Sequence, residues 1–316
     1  MDPAKKENKE SRAEVKSQKP KTWIAAIIIG SIFLLSILLL PLFFALSPSK
    51  LSTGNVAVIE IRGVITEDGS STLGDYTASA GEIISYIEDA DSDPSIKAIV
   101  IDINTPGGSA VASDEIAQAI KRAEKPTVAF IHEMGTSGGY WIASATDTII
   151  ANRMSITGSI GVIASYLEFS GLMEEYGITY QRMVAGKYKD VGTPFKQSTS
   201  EEQQLLQSKL DKIHEFFIQE IADNRELSKA EVKRLATGEI FLGDEALKLG
   251  LVDKLGDKQA LESHLNEIGI KNVEYTYYQR EPTLFELISG VTAEHFFFMG
   301  KGIGSAMTEQ NQGIMT

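Results

Sequence analysis

The hydrophobic and polar positions along the chain divide it into a charged start, one long apolar run and a series of short apolar runs. Residues 1–21 are polar and charged, and residues 23–46 then contain no charged residue. Further along, apolar runs of strand length at 56–61, 97–103 and 127–131 alternate with segments whose apolar residues have helical spacing. Strands that are apolar on both faces and alternate with helices predict an α/β fold with mostly parallel strands.

The second half of the chain continues this alternation. Two capping boxes indicate where helices begin. Ser200 with Gln203 predicts the start of a long helix, and Ser228 with Glu231 predicts the start of another. Helical spacing also predicts helices at 81–90, 109–120 and 167–176, and apolar runs predict strands at 148–151, 157–163, 178–184, 251–252, 273–278 and around Phe241.

The long apolar run has the length of a membrane-spanning helix. Residues 22–46 are long enough to cross roughly 30 Å of hydrocarbon. Residues 1–21 carry a net charge of +3, which by the positive-inside rule predicts a cytoplasmic N-terminus and an extracytoplasmic remainder. A signal peptide cleaved near 45–47 is the alternative, although the apolar region of such a peptide is usually shorter. We therefore expect a basic tail at 1–21, an anchor at 22–46, a linker at 47–54 and a flexible tail at 301–316.

Charge and composition argue against several classes of function. The formal net charge is −13, which makes nucleic acid an unsuitable partner. The chain has no cysteine, so disulfides, cysteine nucleophiles and cysteine-ligated metals are excluded. Its four histidines show no paired spacing of the kind that binds zinc, and we expect no metal site.

One serine stands where a nucleophile is expected. Residues 135–141, G-T-S-G-G-Y-W, lie between the predicted strand at 127–131 and the start of a buried helix. The glycines around Ser137 permit a tight turn and close approach of a substrate, and the helix N-terminus supplies free N–H groups. Gly138 and the Gly107–Gly108 backbone can supply the two donors that an oxyanion hole needs. Taken alone, the S-G-G triplet is also an ordinary turn.

A nucleophilic serine needs a base, and the sequence offers two kinds. His132 precedes Ser137 by only five residues, and we expect it to be local structure because catalytic triads combine distant segments. The other three histidines fall on predicted helix faces or in late amphipathic segments. A neutral lysine is the alternative base. Lys187 and Lys189 share a glycine-bounded stretch, where either is also interpretable as a solvated loop charge, and their spacing does not choose between them.

Five motifs follow one another along the chain: N-T-P-G-G at 104–108, S-G-G-Y at 137–140, T-G-S-I-G-V at 157–162, G-K-Y-K-D at 186–190 and G-E-I-F-L-G-D-E-A-L-K-L-G-L-V-D at 238–253. In this order they resemble the short form of the signal peptide peptidase A family, the membrane-anchored serine–lysine peptidases of family S49. The resemblance covers roughly residues 55–275. It implies a Clp-protease/crotonase-like spiral of β-β-α units in a peptidase domain at 55–300, with no cofactor.

The resemblance also implies a role for individual residues. Ser137 matches the nucleophile, and Lys189 matches the general base in preference to Lys187. Ser159 matches the serine that orients the base, and Gly108 and Gly138 match the oxyanion donors. The sequence departs from the family at Thr136, where an alanine is usual, and at Arg153, where a proline is common. Residues 243–253 match a structural segment.

Assembly and substrate are further implications of the resemblance. The family's short members form ring-like homo-oligomers, in which the lysine of one subunit completes the site that holds its neighbour's serine. The expected substrates are cleaved signal peptides and other apolar or unfolded segments at the outer face of the cell membrane.

Two other functions stay open. The first is a catalytically inactive, membrane-tethered oligomeric scaffold, against which the complete Ser137, Ser159 and Lys189 set argues. The second is a crotonase-type acyl-CoA enzyme, although an extracytoplasmic domain has no ready supply of coenzyme A. The apolar stretch at 284–299 is interpretable as a packing helix, which we favour, as a membrane contact, or as a segment that reaches a neighbour's site.

Overall fold

In the computed structural model of the chain, the described residues are 54–69 and 77–279, together with Gly30, Ser31 and Leu35. The chain divides into a first unit, Met1–Leu51, and a second unit, Ser52–Thr316, to which the sheets belong. Within this described part, no helix combines the length and the apolar character needed to cross a membrane. The expected tails at 1–21 and 301–316 lie outside the described residues, as do nearly all of the expected anchor and linker.

A mostly parallel sheet is the centre of the fold. Its strands run in the spatial order β10-β1-β4-β5-β6-β9, and every neighbouring pair in that order is parallel. Strand β7 pairs in parallel with the end of β5, and β8 pairs antiparallel with β7, while β2 and β3 form a small separate sheet. The strands are β1 (Val56–Arg62), β2 (Val64–Thr66), β3 (Thr77–Ser79), β4 (Ala98–Thr105), β5 (Thr127–Thr136), β6 (Thr148–Ala151), β7 (Ile156–Gly158), β8 (Ile240–Leu242), β9 (Lys254–Leu255) and β10 (Tyr275–Tyr278).

Helices cover both faces of this sheet. The helices are α1 (Ala80–Ser92), α2 (Ala110–Arg122), α3 (Gly138–Ser144), α4 (Ser170–Glu175), α5 (Ser200–Asn224), α6 (Lys229–Leu235), α7 (Gly243–Lys248) and α8 (Lys258–Glu267). Alternate residues of the central strands point to opposite faces. Ile99 and Ile101 of β4 therefore join the larger core under α1, α2, α3 and α5, whereas Ala98 and Val100 join a smaller core under α8. The predicted α/β class with mostly parallel strands is confirmed.

Three predicted strands differ from the structure. The prediction of a strand at 178–184 is wrong, because this segment is irregular and has no partner strand in the described chain, and its Ile178 and Met183 side chains are exposed. The strand predicted at 251–252 is also wrong: Leu251 and Val252 are buried after α7, and the strand forms later, at β9. The strand predicted at 157–163 ends at Gly158, because Gly158 and Ser159 both have positive φ.

The long helix α5 begins one residue earlier than its predicted capping box. Thr199 is the N-cap: its hydroxyl accepts a hydrogen bond from the Glu202 N–H at 3.2 Å, and the Glu202 carboxylate accepts one from the Thr199 N–H at 2.9 Å. The prediction of Ser200 with Gln203 was therefore displaced by one residue. The second predicted capping box, Ser228 with Glu231, is confirmed.

Candidate active site

The carboxyl ends of three parallel strands meet at Ser137. Strand β5 leads directly into this serine, with β4 on one side and β7 on the other. Thr105 at the end of β4 is paired with Gly135, and Gly158 at the end of β7 is paired with Thr136. Because the strands are parallel, the loops that follow β4 and β7 are delivered to the same edge of the sheet as Ser137. Loops at such an edge are a usual place for a ligand site in parallel sheets.

The backbone of Ser137 adopts a conformation that is uncommon for a residue with a side chain. Its φ is 54° and its ψ is −121°. Positive φ in a non-glycine residue costs free energy and is concentrated at functional sites, where the surrounding structure holds it in place. The Ser137 N–H is held by the Gly158 carbonyl at 2.8 Å, and the Ser137 carbonyl accepts a bond from the Trp141 N–H at 3.0 Å. Within the described part of the chain, the Ser137 hydroxyl has no hydrogen-bond partner.

Two backbone amides beside Ser137 are available to a ligand. The Gly107–Gly108 loop approaches so closely that a Cβ added to Gly107 would lie 2.8 Å from Gly138 N and 2.9 Å from Ser137 Cβ. Similarly, a Cβ added to Gly138 would lie 3.4 Å from Gly108 N. Neither the Gly108 N–H nor the Gly138 N–H donates a hydrogen bond to another described residue. The two predicted oxyanion donors are therefore adjacent to each other and to the serine.

Ser159 lies on the other side of the serine. It follows Gly158, whose carbonyl binds the Ser137 N–H, and its own N–H donates to the Glu239 carbonyl at 2.7 Å. Its φ of 51° is again positive, and its side chain is half-buried. The structure thus brings together four of the five predicted site residues: Ser137, Ser159, Gly108 and Gly138.

No histidine of the described chain reaches the serine. His132 Nε2 lies 2.9 Å from Asp102 Oδ1 on the neighbouring strand β4, at ion-pair distance but without good hydrogen-bond alignment. Burial raises the pKa of Asp102, although the nearby positive charge of Arg62 and the contact with His132 oppose this shift. His132 is therefore engaged with β4, and this agrees with its interpretation as local structure.

The fifth predicted site residue, Lys189, lies on a different kind of segment. Between β7 and α5 the chain contains only one short helix, α4, and most of its side chains are exposed. Lys189 is exposed there, and no hydrogen bond or ion pair in the described chain joins it to Ser137, to Ser159 or to a carboxylate. The structure does not bring Lys189 to the serine of the same chain.

Lys187, unlike Lys189, is ion-paired with a carboxylate in the described chain. The Lys187 ammonium donates to both oxygens of the Glu201 carboxylate at 2.6 Å, and the Tyr188 hydroxyl donates to the same carboxylate. The hydrogen bond to Glu201, followed by that to Tyr188, raises the pKa of Lys187, which favours its charged form. A proton acceptor must be neutral, so this geometry separates two lysines that spacing alone did not.

Comparison with other proteins finds relatives that match most of this domain. A model of peptidase family S49 matches residues 119–271. A relative from Methanocaldococcus jannaschii described as a "putative protease" is 33% identical over 227 residues, which cover 71% of this chain and 72% of the relative. The chain belongs to peptidase family S49. A further relative, named a "putative signal peptide peptidase" and from Enterococcus faecium, is 30% identical over 239 residues, which cover 74% of this chain and 70% of that protein. Within family S49, the chain is therefore a member of the signal peptide peptidase A group.

A solved structure supports the same fold for this S49 peptidase. A serine-to-alanine mutant of the 1510-N membrane-bound stomatin-specific protease superposes with a TM-score of 0.50 and 19% sequence identity, over 73% of this chain and 100% of that one. At this identity the likeness shows the fold alone. The fold class is therefore a mixed, sheet-dominated α/β fold, and the chemical class of the protein is peptidase.

Sequence reasoning missed two contacts that support the site. The Thr136 hydroxyl donates to the Pro106 carbonyl at 3.1 Å, and so ties the serine strand to the glycine loop. The departure from the usual alanine at this position thus has a structural use. The buried Tyr140 hydroxyl donates to the Leu251 carbonyl at 2.9 Å and fastens the serine helix α3 to the 243–253 segment. Both contacts join residues distant in sequence, which spacing does not reveal.

Proposed function

We propose that this S49 peptidase is a serine endopeptidase with Ser137 as nucleophile and Lys189 as general base. The observation that carries the proposal is the pairing of an unengaged serine hydroxyl with two unengaged amides, Gly108 and Gly138, at one edge of the sheet in the described chain. Preorganised N–H donors at such a position stabilise the oxyanion of acyl transfer. Ser159, directly beside Ser137, is suited to orient the base by a hydrogen bond.

The proposed reaction proceeds through an acyl-enzyme. The neutral amine of Lys189 takes the Ser137 hydroxyl proton while the oxygen attacks the scissile carbonyl carbon, and the developing oxyanion accepts hydrogen bonds from Gly108 and Gly138. The Lys189 ammonium then gives its proton to the departing amine as the C–N bond breaks. A water molecule, deprotonated by Lys189, attacks the ester, and the proton returns to Ser137 as the acid product leaves.

We further propose that the lysine acts on the serine of a neighbouring copy in a ring-like homo-oligomer. The segment between β7 and α5 exposes an unusual number of large apolar side chains, among them Ile163, Leu167, Tyr176 and Met183, which are 90%, 72%, 72% and 93% exposed. Large apolar surface of this kind is typical of a protein–protein contact. If this surface packs on a second copy, Lys189 is carried away from its own Ser137 and toward another.

The proposal places the peptidase at a membrane. Residues 22–46 form the anchor, the N-terminus is cytoplasmic, and the peptidase domain at 55–300 is extracytoplasmic with the β-β-α spiral of the Clp-protease/crotonase class. The substrates are cleaved signal peptides and other apolar or unfolded segments. The apolar, uncharged run at 23–46 and the naming of the Enterococcus faecium relative as a signal peptide peptidase support this part of the proposal.

Three alanine variants of the full chain, purified in detergent, test the dyad with an internally quenched apolar peptide. Ser137→Ala and Lys189→Ala should each lower kcat/KM by about a thousandfold or more, as loss of a nucleophile or its base does. Lys187→Ala is the matched control, since it removes a lysine two positions away that is bound to Glu201. Cleavage by Lys189→Ala at the wild-type rate would show that the base lies elsewhere.

A further inference from the structure

Three carboxylates surround the segment that holds the proposed base. Asp190 follows Lys189 directly, and Glu201 and Glu202 lie in the first turn of α5. An unpaired carboxylate near a lysine stabilises the ammonium and raises the lysine pKa, whereas a general base must lose that proton. On this segment and at the start of α5, these three acids are in contact with Tyr188 and with the cations Arg182, Lys187 and Lys196.

Each of the three acids already has a cation of its own. Asp190 accepts a two-pronged contact from Arg182, with Nε at 2.6 Å and Nη2 at 2.9 Å. Glu201 is bound by Lys187 at 2.6 Å. Glu202 is bound by Lys196 at 2.5 Å, and that ammonium is also 3.9 Å from Asp190. Three cations thus neutralise three acids, and the remaining cation of the segment is Lys189.

The Arg182–Asp190 contact is the most important of these pairs for Lys189. Asp190 is the nearest acid in sequence, and its side chain is only 10% exposed, so its charge is poorly screened by water. The hydrogen bond from Arg182 is the main reason that the pKa of Asp190 is lowered, so Asp190 stays charged and needs a counter-charge. Arg182 Nη2 also lies 3.5 Å from the Lys187 carbonyl, at the limit of a hydrogen bond, inside the turn that contains Lys189.

We infer that Arg182 is a positioning residue for the base: by binding Asp190 in a bidentate contact, it keeps the adjacent carboxylate from ion-pairing with Lys189. This inference rests on the proposed role of Lys189. Without Arg182, the Asp190 carboxylate is free to pair with the neighbouring ammonium, and the lysine then becomes neutral only at a higher pH.

The test is the pH dependence of kcat/KM for the full chain in detergent, measured with an internally quenched apolar peptide. In Arg182→Gln, the acid limb of the profile should move to higher pH by about one unit, so that the rate on that limb falls about tenfold. Arg182→Lys keeps the positive charge but cannot make the bidentate contact with Asp190. It should move the acid limb by less than half of the shift seen in Arg182→Gln. Lys121→Gln breaks a distant ion pair with Glu220 (3.0 Å) and serves as the control that leaves the limb in place.

The double variant Arg182→Gln/Asp190→Asn separates charge from shape. It lacks the Arg182 guanidinium, as Arg182→Gln does, but it also lacks the carboxylate at position 190. The acid limb of its kcat/KM profile should therefore return to the wild-type position. An unmoved limb in Arg182→Gln, or a limb in the double variant that stays where Arg182→Gln put it, would overturn the inference. Lys189→Ala separates the role of Lys189 from the role of Arg182. Full activity of Lys189→Ala would refute Lys189 as the base. An inactive Lys189→Ala, together with an unmoved acid limb in Arg182→Gln, would refute only the role of Arg182.

Discussion

Two inactive variants should restore each other when they assemble together. Lys189 is exposed and makes no hydrogen bond to Ser137 of its own chain, which is why we propose that the two residues of one site come from neighbouring copies. Ser137→Ala keeps the lysine and Lys189→Ala keeps the serine. Where a Lys189→Ala subunit presents its serine to the lysine of a Ser137→Ala neighbour, a complete site is formed.

The expected yield follows from this arrangement. In a ring, each boundary between subunits makes one site from one serine and one lysine, whatever the number of subunits. In an equal and random mixture, the serine donor is intact at half of the boundaries and the lysine donor at half, so about a quarter of the sites are complete. A site built within one chain would give no complete sites at all.

The assay compares two mixtures by hydrolysis of a quenched apolar peptide. The first contains the two single variants, co-expressed so that they assemble at random. The second contains the wild type and the double variant Ser137→Ala/Lys189→Ala, for which a shared site leaves about a quarter of the activity and a site within one chain leaves about half. The reasoning is refuted if the first mixture is as inactive as its components while the second retains half, with native mass measurement showing mixed assemblies in both.

Three further variants test the site and its support. Gly108→Ala should lower kcat by about a hundredfold or more, because the new Cβ would lie 2.1 Å from the Ile65 carbonyl oxygen and would displace an oxyanion donor; unchanged kinetics would contradict that role. Trp141→Ala should cost about 3–5 kcal/mol in urea unfolding, because Trp141 is 4% exposed and stacks on Phe217 at 4.5 Å. Burial, and next the charge of Lys254, lowers the pKa of His264. The unfolded chain therefore binds the extra proton as the pH falls below about 6.5, so stability is lost toward acid, and His264→Gln should flatten the decline of Tm between about pH 7.5 and 5.5.

The central strands were predictable from sequence because each is apolar on both faces. Residues such as Ile99, Val100 and Ile101 can only be buried between two helical layers, and the structure places them there. The segment at 178–184 has a similar apolar content but no partner strand in the described chain. Its apolar residues would be buried only if another molecule covered them. A single sequence does not distinguish burial inside the chain from burial against another molecule.

The backbone around the serine was easier to predict from sequence than the choice of lysine. The glycines at 107, 108 and 138 indicate close backbone approach, and the structure has that approach. The choice between Lys187 and Lys189 was not accessible to spacing, because both lie within one turn. The structure distinguishes the two lysines through Glu201. This residue follows both lysines by roughly a dozen positions, and the start of α5 brings it to Lys187 alone of the two. The Arg182–Asp190 contact was not predictable either, because an irregular segment has no periodicity that indicates which side chains meet.

If Lys189 serves the Ser137 of a neighbouring copy, as we propose, the exposed position of Lys189 also determines when a newly made chain becomes active. Under the proposed shared site, a solitary copy would carry a nucleophile without a proton acceptor and would be inactive until it met a second copy. Its proteolytic activity would then depend on concentration, because a complete site would form only where two copies assemble. Dilution below the assembly threshold would extinguish activity reversibly, whereas a protease complete within one chain would keep its specific activity at any dilution.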